Sequence, residues 1–393
     1  MKSIVIHENR KKSVMNRHPW IYSGSIKSAD KNISDGEIIR AVTVQGEFLC
    51  YGFYNSRSKI TVRAFCWEEK TIPDENYLQQ LVKNSVAKRA KILTEETDCC
   101  RLVFSESDFL PGVIADFYNG FISASFNTAS AQLYKKIILD ALVSETDSEG
   151  FIENTSSDFL KKEGISEIKN ISGGSIPDFI QIRENGIIYD ADIIQGQKTG
   201  FYADQRSNRR IASGEASEKT VLDVFSYSGG FTLNALKNNA MHVTSIDSSS
   251  QALDRLKSSM SLNGFSVQRQ TSIQGDAFQT LRNLQAENRK YDLIILDPPK
   301  LAPSRHSLND ALKAYKEINL SAMRLASDNG IIFIFSCSQA VNIETLKEVV
   351  RWAAVDAGRD VFFLRYLSQP EDHPVLATFP ESEYLKGIMY SVI

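Results

Sequence analysis

The stretch GIIFIFSCS, residues 330–338, joins an apolar run to a Ser-Cys-Ser triplet, so a buried strand would end directly before Cys337. Two other apolar runs end in a similar way. YDLIIL is followed by Asp297-Pro298-Pro299-Lys300, and TVLDVF leads into a Ser/Gly loop with Gly229 and Gly230. Parallel strands of an open sheet end at one carboxyl edge, so an acid, a thiol and a glycine loop are expected together there. This pattern predicts an enzyme that holds a nucleoside-containing cofactor and attacks its substrate covalently.

Apolar strands alternate with helices through the C-terminal half of the chain. From about residue 186 this order predicts an α/β fold with a doubly wound, mostly parallel sheet. The last two apolar segments, VFFLRYLSQ and EYLKGIMYSVI, predict an antiparallel hairpin at one edge of that sheet. The strand and helix pairs are TVLDVF with 231–237, HVTSID with 249–263, VQRQTSIQGD with 277–286, YDLIIL with 308–325 and GIIFIFSCS with 343–357.

Two smaller domains are predicted ahead of this sheet. Residues 1–70 show short alternating stretches separated by turn-forming groups, which is typical of a small β-barrel or sandwich. Residues 71–185 open with an amphipathic helix over 73–93 and continue with strands and helices, which predicts an α+β middle domain. The chemistry is therefore expected in the third domain, residues 186–393.

The charge of the chain is segregated. The whole protein carries −3, yet residues 1–63 hold eleven Lys/Arg against five Asp/Glu, or +6, which leaves −9 for the remainder. This segregation fits a phosphate-binding surface, or merely a solvated basic face. Arg17, His18 and Trp20 are candidate RNA contacts, together with Lys300. Trp20 could either stack on a base or plug the barrel.

Other broad classes of protein are disfavoured. No apolar run approaches the ~20 residues that a membrane helix needs, and the start MKSIVIHENRKKS lacks a cleavable signal pattern, so a cytoplasmic protein is expected. The five cysteines are an odd number without C-x-x-C spacing, which argues against a disulfide framework and a zinc site.

The Ser/Gly loop indicates what kind of cofactor is bound. Its spacing is not G-x-G-x-x-G, so a dinucleotide is disfavoured. Asp223 lies ahead of the loop, where it could accept a hydrogen bond from an ammonium group, as at the amino-acid end of S-adenosylmethionine. Asp247, which ends the next strand, could hold ribose hydroxyls or cap the following helix. Asp276, after the third strand, could reach an adenine amino group.

Cys337 and Asp297 supply what methylation at C5 of cytosine requires. Addition of a thiolate at C6 turns C5 into an enamine carbon that can accept a methyl group, and Asp297 is the natural partner for N3. The alternative is a buried structural cysteine at a strand end. Lys300 stands where amino-group methyltransferases usually place an aromatic residue, which disfavours methylation of an exocyclic amine.

Taken in order, these motifs resemble a known family. Residues 194–209 (IQGQKTGFYADQRSNR), 222–231 (LDVFSYSGGF), 295–300 (ILDPPK) and 335–338 (FSCS) are similar to RlmI-type class I methyltransferases, which form 5-methylcytosine in large-subunit ribosomal RNA. RHPWIYSGSI, 17–26, resembles the N-terminal PUA domain of that family, and residues 372–388 match downstream. The resemblance therefore covers nearly the whole chain.

The resemblance implies S-adenosylmethionine as cofactor, large-subunit ribosomal RNA as substrate, and Cys337 as nucleophile. The target base must leave its stack to reach the sheet edge, so naked or partly assembled RNA is favoured. A homodimer is possible. The resemblance also implies that the segment from Lys198 to Arg206 folds over the cofactor. The residues implied to bind the cofactor are Lys198, Thr199, Phe201, Asp204, Gln205, Arg206, Asp223, Phe225, Ser228, Gly229, Gly230, Asp247, Ser248, Asp276, Ala277 and Asp297.

The sequence does not decide which base is methylated. Two-cysteine RNA cytosine methyltransferases carry a second thiol after the two prolines, where this chain has Lys300, so the group that removes the C5 proton is not identified. Relatives that share QKTGF and DPPK methylate other bases. The alternatives are a methyltransferase for a guanine nitrogen of ribosomal RNA, with Cys337 structural, and a non-catalytic RNA-binding assembly factor.

Overall fold

The structure, a computed structural model, describes residues 1–166, 168, 170–191, 193–194, 200–302 and 307–393. The chain folds into two compact units. The N-terminal unit comprises Met1–Ile182, Ala191–Ala203 and Glu371–Ser382. The C-terminal unit comprises Arg183–Asp190, Asp204–Pro370 and Glu383–Ile393.

The N-terminal unit opens with a six-stranded sheet in the order β2-β6-β5-β4-β1-β3. All neighbours pair antiparallel except β1 and β4, which pair parallel. Alternate residues of these strands face an apolar core, as the period-2 pattern of the sequence predicts. The elements are β1 (Ser3–Ile6), α1 (Lys11–Met15), β2 (Trp20–Tyr22), β3 (Ile26–Ala29), β4 (Ile38–Val42), β5 (Phe48–Tyr54) and β6 (Ile60–Cys66).

A second sheet of five strands, in the order β11-β10-β9-β8-β7, follows in the same unit. The helix predicted over 73–93 is α2, and Asp74 begins it by accepting a hydrogen bond from Tyr77 N. A large core joins side chains of α2, α4 and β7–β9 with Phe53 and Phe65 of the first sheet. The elements are α2 (Glu75–Arg89), β7 (Cys99–Phe104), β8 (Val113–Tyr118), β9 (Phe121–Phe126), α3 (Ala129–Leu133), α4 (Lys135–Thr146), β10 (Gly150–Glu153), α5 (Ser157–Lys162) and β11 (Ser172–Gly174).

The C-terminal unit is built on a seven-stranded sheet in the order β16-β15-β14-β17-β18-β20-β19. A two-stranded hairpin, β12 (Ile180–Glu184) and β13 (Ile187–Ala191), precedes it. The remaining elements are α6 (Arg206–Ser213), β14 (Thr220–Val224), α7 (Gly230–Lys237), β15 (His242–Asp247), α8 (Ser250–Leu262), β16 (Gln270–Gln274), α9 (Ala277–Ala286), β17 (Tyr291–Leu296), α10 (Leu308–Leu325), β18 (Ala326–Ser336), α11 (Ile343–Ala357), β19 (Val361–Ser368) and β20 (Lys386–Val392).

The predicted doubly wound sheet is confirmed. Strands β14 to β18 pair in parallel, and β20 pairs antiparallel with both β18 and β19. The central strands are buried on both faces, which is why they read as continuous apolar runs. The strand order reverses between β14 and β17, and the carboxyl ends at such a reversal form the crevice where open α/β sheets bind ligands.

The sequence predicts the last two strands as a hairpin at the sheet edge, but only the first of them lies at the edge. β20 lies between β18 and β19, so the C-terminal strand is internal and β19 forms the edge. Register pairing places Lys386, the first residue of β20, opposite Ser336, the last residue of β18. Among the helices that the structure describes, none has the length and apolar character needed to cross a membrane.

Candidate functional site

The carboxyl edge of the central strands brings the predicted acids together in the C-terminal unit. Val224 of β14 pairs with Ile246 of β15 on one side and with Leu296 of β17 on the other. Asp297 follows Leu296 directly, and its N–H donates to Val224 O at 3.4 Å. The ends of β14 and β17 are therefore side by side at the reversal of strand order.

Asp223 is a fully buried carboxylate at this edge. Its Oδ2 accepts hydrogen bonds from Thr232 N at 3.0 Å and from Thr232 Oγ1 at 2.7 Å. Its Oδ1 is buried and has no hydrogen-bond partner among the described residues. Burial raises the pKa of Asp223 to about 6, although the bonds from Thr232 lower it. Nearby Asp247 raises this pKa further. A cationic group bound at Oδ1 would relieve this penalty.

The Ser/Gly loop between β14 and α7 is held in an unusual backbone conformation. Phe225, Tyr227 and Gly229 all have positive φ, at 63°, 48° and 82°. Positive φ is strained for residues with a Cβ and is tolerated where the surroundings fix it, often beside ligands. Ser226 N donates to Ile246 O at 2.9 Å, and the buried Ser226 Oγ has no partner among the described residues. The predicted site residue Ser228 is buried in the same loop.

Asp247 ties this loop to the next strand. Its Oδ2 accepts from Tyr227 N at 2.8 Å and its Oδ1 from Ser249 N at 2.8 Å. The cap of α8 is Ser249, whose side chain accepts from Ala252 N, so Asp247 is not the helix cap. Ser248 is exposed beside it.

Asp276 lies after β16, as the sequence predicts, and caps a helix. Its side chain accepts a hydrogen bond from Gln279 N at 2.9 Å, which makes it the N-cap of α9. Asp276 is exposed, whereas the adjacent Ala277 is buried in the core. The cap uses Oδ1 for Gln279, so the carboxylate keeps further acceptor capacity toward solvent.

Arg209 was missed by the sequence reasoning. It is buried on α6, and its Nη1 donates to Glu184 Oε1 at 2.7 Å. Burial opposes its charge, but Glu184 outweighs that effect and raises the pKa of Arg209. A Cβ on Gly230 would stand 2.5 Å from Arg209 Nε, so a side chain at the start of α7 would displace the guanidinium. The guanidinium therefore lies under the turn that follows the Ser/Gly loop.

The segment predicted to fold over the cofactor is only partly described. Lys198 and Thr199 lie outside the described residues. Phe201 belongs to the N-terminal unit, is buried, and its carbonyl accepts from Tyr118 Oη at 3.4 Å. In the C-terminal unit, Asp204 Oδ2 accepts from Tyr384 Oη at 2.7 Å.

Gln205 and Arg206 follow Asp204 in the C-terminal unit and are buried as well. Gln205 Oε1 accepts from Asn208 Nδ2 at 2.6 Å at the start of α6. Hydrogen bonds inside the unit therefore fix the beginning of this helix.

Cys337 is the first residue beyond β18 and is half-buried between two fully buried serines. Tyr315 of α10 donates to Ser336 Oγ at 2.9 Å, and Ser338 N also donates to Ser336 Oγ, at 3.3 Å. Burial raises the pKa of Tyr315 to about 12, helped by negative charge at Cys337 and Asp297. The thiol, the phenol and the carboxylate therefore interact electrostatically. Hydrogen bonds on both sides hold the backbone around Cys337 in place.

Lys300 and Lys386 differ in their surroundings. Lys300, after the two prolines, is exposed. Lys386 is buried, and its Nζ donates to Ser338 O at 3.3 Å and to Tyr384 O at 3.1 Å. The sequence reasoning missed Lys386, because only the pairing of β20 with β18 brings it beside residues about fifty positions earlier.

The candidate RNA contacts of the N-terminal unit differ in accessibility. Arg17 is exposed and has a φ of 61°. His18 Nε2 lies 3.2 Å from Glu381 Oε2. Trp20 is half-buried, and its Nε1 donates to Glu106 Oε1 at 2.8 Å. Protein contacts anchor Trp20 and His18, while Arg17 faces solvent.

The donors and acceptors of the C-terminal edge fit a nucleoside cofactor with an ammonium group. Asp223 Oδ1 and Ser226 Oγ are buried polar atoms without partners among the described residues, and each needs one. Asp247 ends β15, and Asp276 follows β16. One edge thus offers an acceptor for a cation, further carboxylates for hydroxyl or amino groups, and a thiol.

Two family models match the sequence. One, described as a PUA-like domain, matches residues 4–67. The other, described as an S-adenosylmethionine-dependent methyltransferase, matches residues 162–380, more than half of the chain. The first model falls on the six-stranded sheet, and the second covers most of the seven-stranded sheet.

Curated relatives match along the full length. Ribosomal RNA large subunit methyltransferase I of Pseudoalteromonas atlantica is 36% identical over 391 residues, 99% of both chains. The protein of the same name from Aeromonas salmonicida is 36% identical over 98% of both chains. Among solved structures, a protein of Streptococcus mutans titled a SAM-dependent methyltransferase covers all of both chains with a TM-score of 0.84 at 21% identity. Another, a methyltransferase complexed with SAH, has a TM-score of 0.85. These structures show the same fold.

Proposed function

Because the chain belongs to the ribosomal RNA large subunit methyltransferase I family of S-adenosylmethionine-dependent methyltransferases, we propose that it forms 5-methylcytosine in large-subunit ribosomal RNA through a covalent bond to Cys337. The observation that carries this proposal is the placement of Cys337. It follows β18, beside the strand that ends before Asp297, at the edge that holds Asp223 and the Ser/Gly loop.

The cofactor S-adenosylmethionine supplies the methyl group as an electrophile. Asp223 would accept a hydrogen bond from its ammonium group at the unpartnered Oδ1. Asp247 and Asp276 would accept bonds from hydroxyl and amino groups, and Gly229 lets the chain turn closely around the ligand. We propose the same role in cofactor binding for the segment that includes Lys198, Thr199 and Phe201.

Cys337 and Asp297, at the sheet edge, act in different steps of the proposed reaction. The Cys337 thiolate adds to C6 of cytosine, and the electron pair displaced from the ring is taken up at N3 with a proton from Asp297. C5 is then nucleophilic and takes the methyl group. Loss of the C5 proton to a base restores the C5–C6 double bond and expels the Cys337 sulfur as thiolate. The N3 proton returns to Asp297.

RNA binding is proposed for the basic face of the N-terminal unit. Six cations in the first 63 residues are exposed and form no ion pair among the described residues. Such cations bind phosphates by releasing counterions. Because the target base must leave its stack, naked or partly assembled RNA suits the site, and the protein would work in the cytoplasm where that RNA is found. The six cations are Arg10, Lys12, Arg17, Lys27, Lys31 and Lys59.

Analysis of the methylated nucleoside tests the proposal. Large-subunit ribosomal RNA is incubated with the purified protein and S-adenosylmethionine, digested to nucleosides and analysed by mass spectrometry. We expect 5-methylcytidine, and we expect Cys337→Ser to lower the rate of its formation at least about a thousandfold. Methylguanosine as the product would overturn the proposal in favour of methylation at a guanine nitrogen.

A further inference from the structure

Helix α6 brings a buried cation to the turn that follows the Ser/Gly loop. Arg209 is buried, and its guanidinium lies against Gly230, the first residue of α7. A Cβ built on Gly230 would stand 2.5 Å from Arg209 Nε and 2.9 Å from its Cζ, closer than Cβ atoms approach other atoms in proteins. The guanidinium therefore occupies the space that a side chain at this position would fill.

Asp223 approaches the same helix from the sheet. Its Oδ2 accepts hydrogen bonds from Thr232 N and Thr232 Oγ1, and Thr232 Oγ1 lies 2.7 Å from Ser245 Oγ of β15. The guanidinium thus contacts the first residue of α7, and the carboxylate binds the third. A cation near a buried carboxylate favours the ionised form of that carboxylate.

The guanidinium of Arg209 is held in place by groups from other elements. Its Nη1 donates to Glu184 Oε1 of β12 at 2.7 Å, and both side chains are buried. Burial opposes the charge of Arg209, but Glu184, Tyr189 and Asp204 outweigh this effect and raise its pKa. Because arginine keeps its proton in proteins, the guanidinium is a permanent positive charge under this turn.

The stability of the fold is a poor explanation for this ion pair. The N-terminus of a helix carries partial positive charge, so a guanidinium beside the start of α7 is disfavoured by the helix dipole. Buried ion pairs also add little net stability, because both charges lose their hydration. The position of Arg209 is better explained by an effect on the charge of its surroundings.

The groups around Asp223 have opposing effects on its ionisation. Burial raises the pKa of this residue most strongly, the hydrogen bonds from Thr232 of α7 lower it, Asp247 of β15 raises it, and Arg209 of α6 lowers it. On the other side of β14, strand β17 is followed by Asp297. Arg209 is the cation of this group.

We propose that Arg209 is a positioning residue whose buried guanidinium keeps Asp223 ionised, so that Asp223 can accept a hydrogen bond from the ammonium group of S-adenosylmethionine. This inference rests on the proposed role of Asp223 in cofactor binding. Glu184 limits the effect, because it neutralises part of the guanidinium charge. Loss of charge at Arg209 and loss of charge at Glu184 should therefore change the ionisation of Asp223 in opposite directions.

Isothermal titration of the full chain with S-adenosylmethionine at pH 5 and at pH 7.5 tests this role. The ratio of the two dissociation constants reports how far Asp223 is protonated at pH 5, whereas losses of affinity common to both pH values cancel. Since the pKa of Asp223 is about 6, the dissociation constant of the wild type should be about tenfold higher at pH 5 than at pH 7.5.

Variants of the two partners should change this ratio in opposite directions. Arg209→Gln removes the cation and should increase the ratio to about thirtyfold, a shift of about half a pH unit in the ionisation of Asp223. Glu184→Gln leaves the guanidinium less neutralised and should decrease the ratio to about fourfold, the same shift in the other direction. Arg209→Lys keeps the charge and should stay near the wild-type ratio. A role in packing alone would leave the ratio unchanged in all three variants.

The N-terminal unit offers a matched control. Arg89 Nη2 forms an ion pair with Asp108 Oδ2 at 2.6 Å, and these side chains are 2% and 0% exposed, against 5% and 0% for Arg209 and Glu184. Arg89→Gln therefore breaks a buried ion pair of the same kind. It should lower stability as Arg209→Gln does, because each leaves a buried carboxylate without its cation, and keep the wild-type ratio.

A second variant covers the case in which Arg209→Gln fails to fold by circular dichroism. The double variant Arg209→Gln with Glu184→Gln removes both charges of the pair, so neither partner is left as an unpaired buried charge. The double variant lacks the cation as well, and its ratio should therefore also exceed that of the wild type.

Three results would overturn the role of Arg209. The first is an equal ratio in the wild type, Arg209→Gln and Glu184→Gln, the second is a change in the same direction in both variants, and the third is an equal increase in Arg89→Gln. A wild-type ratio near unity would remove the role of Asp223, and with it this inference. Because only the cofactor is titrated, shifted ratios without 5-methylcytidine would uphold Arg209 and remove cytosine methylation.

Discussion

Asp223 is a buried carboxylate whose proposed role in cofactor binding would come at the expense of stability. One of its oxygens is held by Thr232, and the other has no partner among the described residues. Asp292 offers a natural comparison, because its Oδ2 accepts from Thr220 N and Thr220 Oγ1 in the same manner, at 2.9 and 2.8 Å. Asp292 is only half-buried. Partial burial opposes its charge, but its hydrogen bonds prevail and lower its pKa, whereas the complete burial of Asp223 raises that pKa to about 6.

Replacing the two aspartates should therefore change stability in opposite directions. Between about pH 4 and 6 the folded state binds the Asp223 proton more tightly than the unfolded state, so stability falls as the pH rises through this window. At pH 7.5 Asp223→Asn should stabilise the cofactor-free protein, by roughly 2 kcal/mol. Asp292→Asn should destabilise it. Denaturant unfolding measures both, and destabilisation by Asp223→Asn would contradict the prediction.

Cofactor binding should follow the ionisation of Asp223. The ammonium group of S-adenosylmethionine prefers a carboxylate, so below about pH 6 the dissociation constant should rise about tenfold per pH unit, and above about pH 7 it should level off. Asp223→Asn should weaken binding about tenfold or more at pH 7.5 and remove this pH dependence. Isothermal titration from pH 5 to 8 measures it. A flat wild-type profile would contradict the assignment.

At the residue scale, the sequence indicated which residues lie at the ends of strands but not which residues they contact in the fold. Asp223, Asp247, Asp297 and Cys337 could be placed because each lies at or beside the end of an apolar run. Lys386 could not be placed, since its neighbour Ser338 becomes adjacent only when β20 inserts beside β18. Their roles in cofactor and substrate binding stay predictions.

At the scale of elements, the loop between β14 and α7 combines strain with close packing. Two residues with side chains and one glycine adopt positive φ within five positions. A Cβ on Gly229 would lie 2.2 Å from Leu256 Cδ1 of α8. The loop is therefore fixed by its neighbours, which suits the cofactor-binding role proposed for it.

Substitution of two glycines separates local strain from packing. Gly358 also has positive φ, 64°, at the end of α11, but a Cβ there would meet nothing within 4 Å. Gly358→Ala should cost about 1 kcal/mol of stability, from backbone strain alone. Gly229→Ala should cost more, about 2–4 kcal/mol, and weaken S-adenosylmethionine binding. Thermal unfolding and titration measure both, and equal effects of the two variants would contradict a packed cofactor loop.

The elements themselves were largely predictable, because buried parallel strands read as apolar runs and their helices as periodic ones. The helices predicted at 277–286, 308–325 and 343–357 coincide with α9, α10 and α11. The sequence predicted a hairpin at the edge but not that β20 would pair with β18, since pairing order depends on the whole sheet.

At the scale of the whole molecule, opposite charges are concentrated in different parts of the chain. The first 63 residues carry +6 and the remainder −9. Many of the basic side chains among these first 63 residues are exposed and form no ion pair with the described residues. Charge segregation was visible in the sequence, but which cations are free for RNA required the structure.

Reversal of three exposed cations should weaken RNA binding in a salt-dependent manner. The triple variant Arg10→Glu, Lys12→Glu and Arg17→Glu removes three phosphate contacts, so the slope of log affinity against log salt should fall by about 2 for single-stranded RNA. The control reverses three exposed lysines of α4 and α5, namely Lys136, Lys161 and Lys162. Filter binding at several salt concentrations measures the slopes, and equal losses in both triple variants would contradict a localised RNA surface.

The covalent role of Cys337 is the central claim, and trapping with RNA that contains 5-fluorocytidine tests it most directly. Fluorine at C5 cannot leave as a proton does, so the adduct persists once the methyl group is transferred. With S-adenosylmethionine present, the wild type and the buried-thiol control Cys66→Ala should form a protein–RNA complex that survives denaturing electrophoresis, and Cys337→Ala should form none. A Cys337→Ala protein that is still trapped, or that still methylates cytosine fully, would contradict the account.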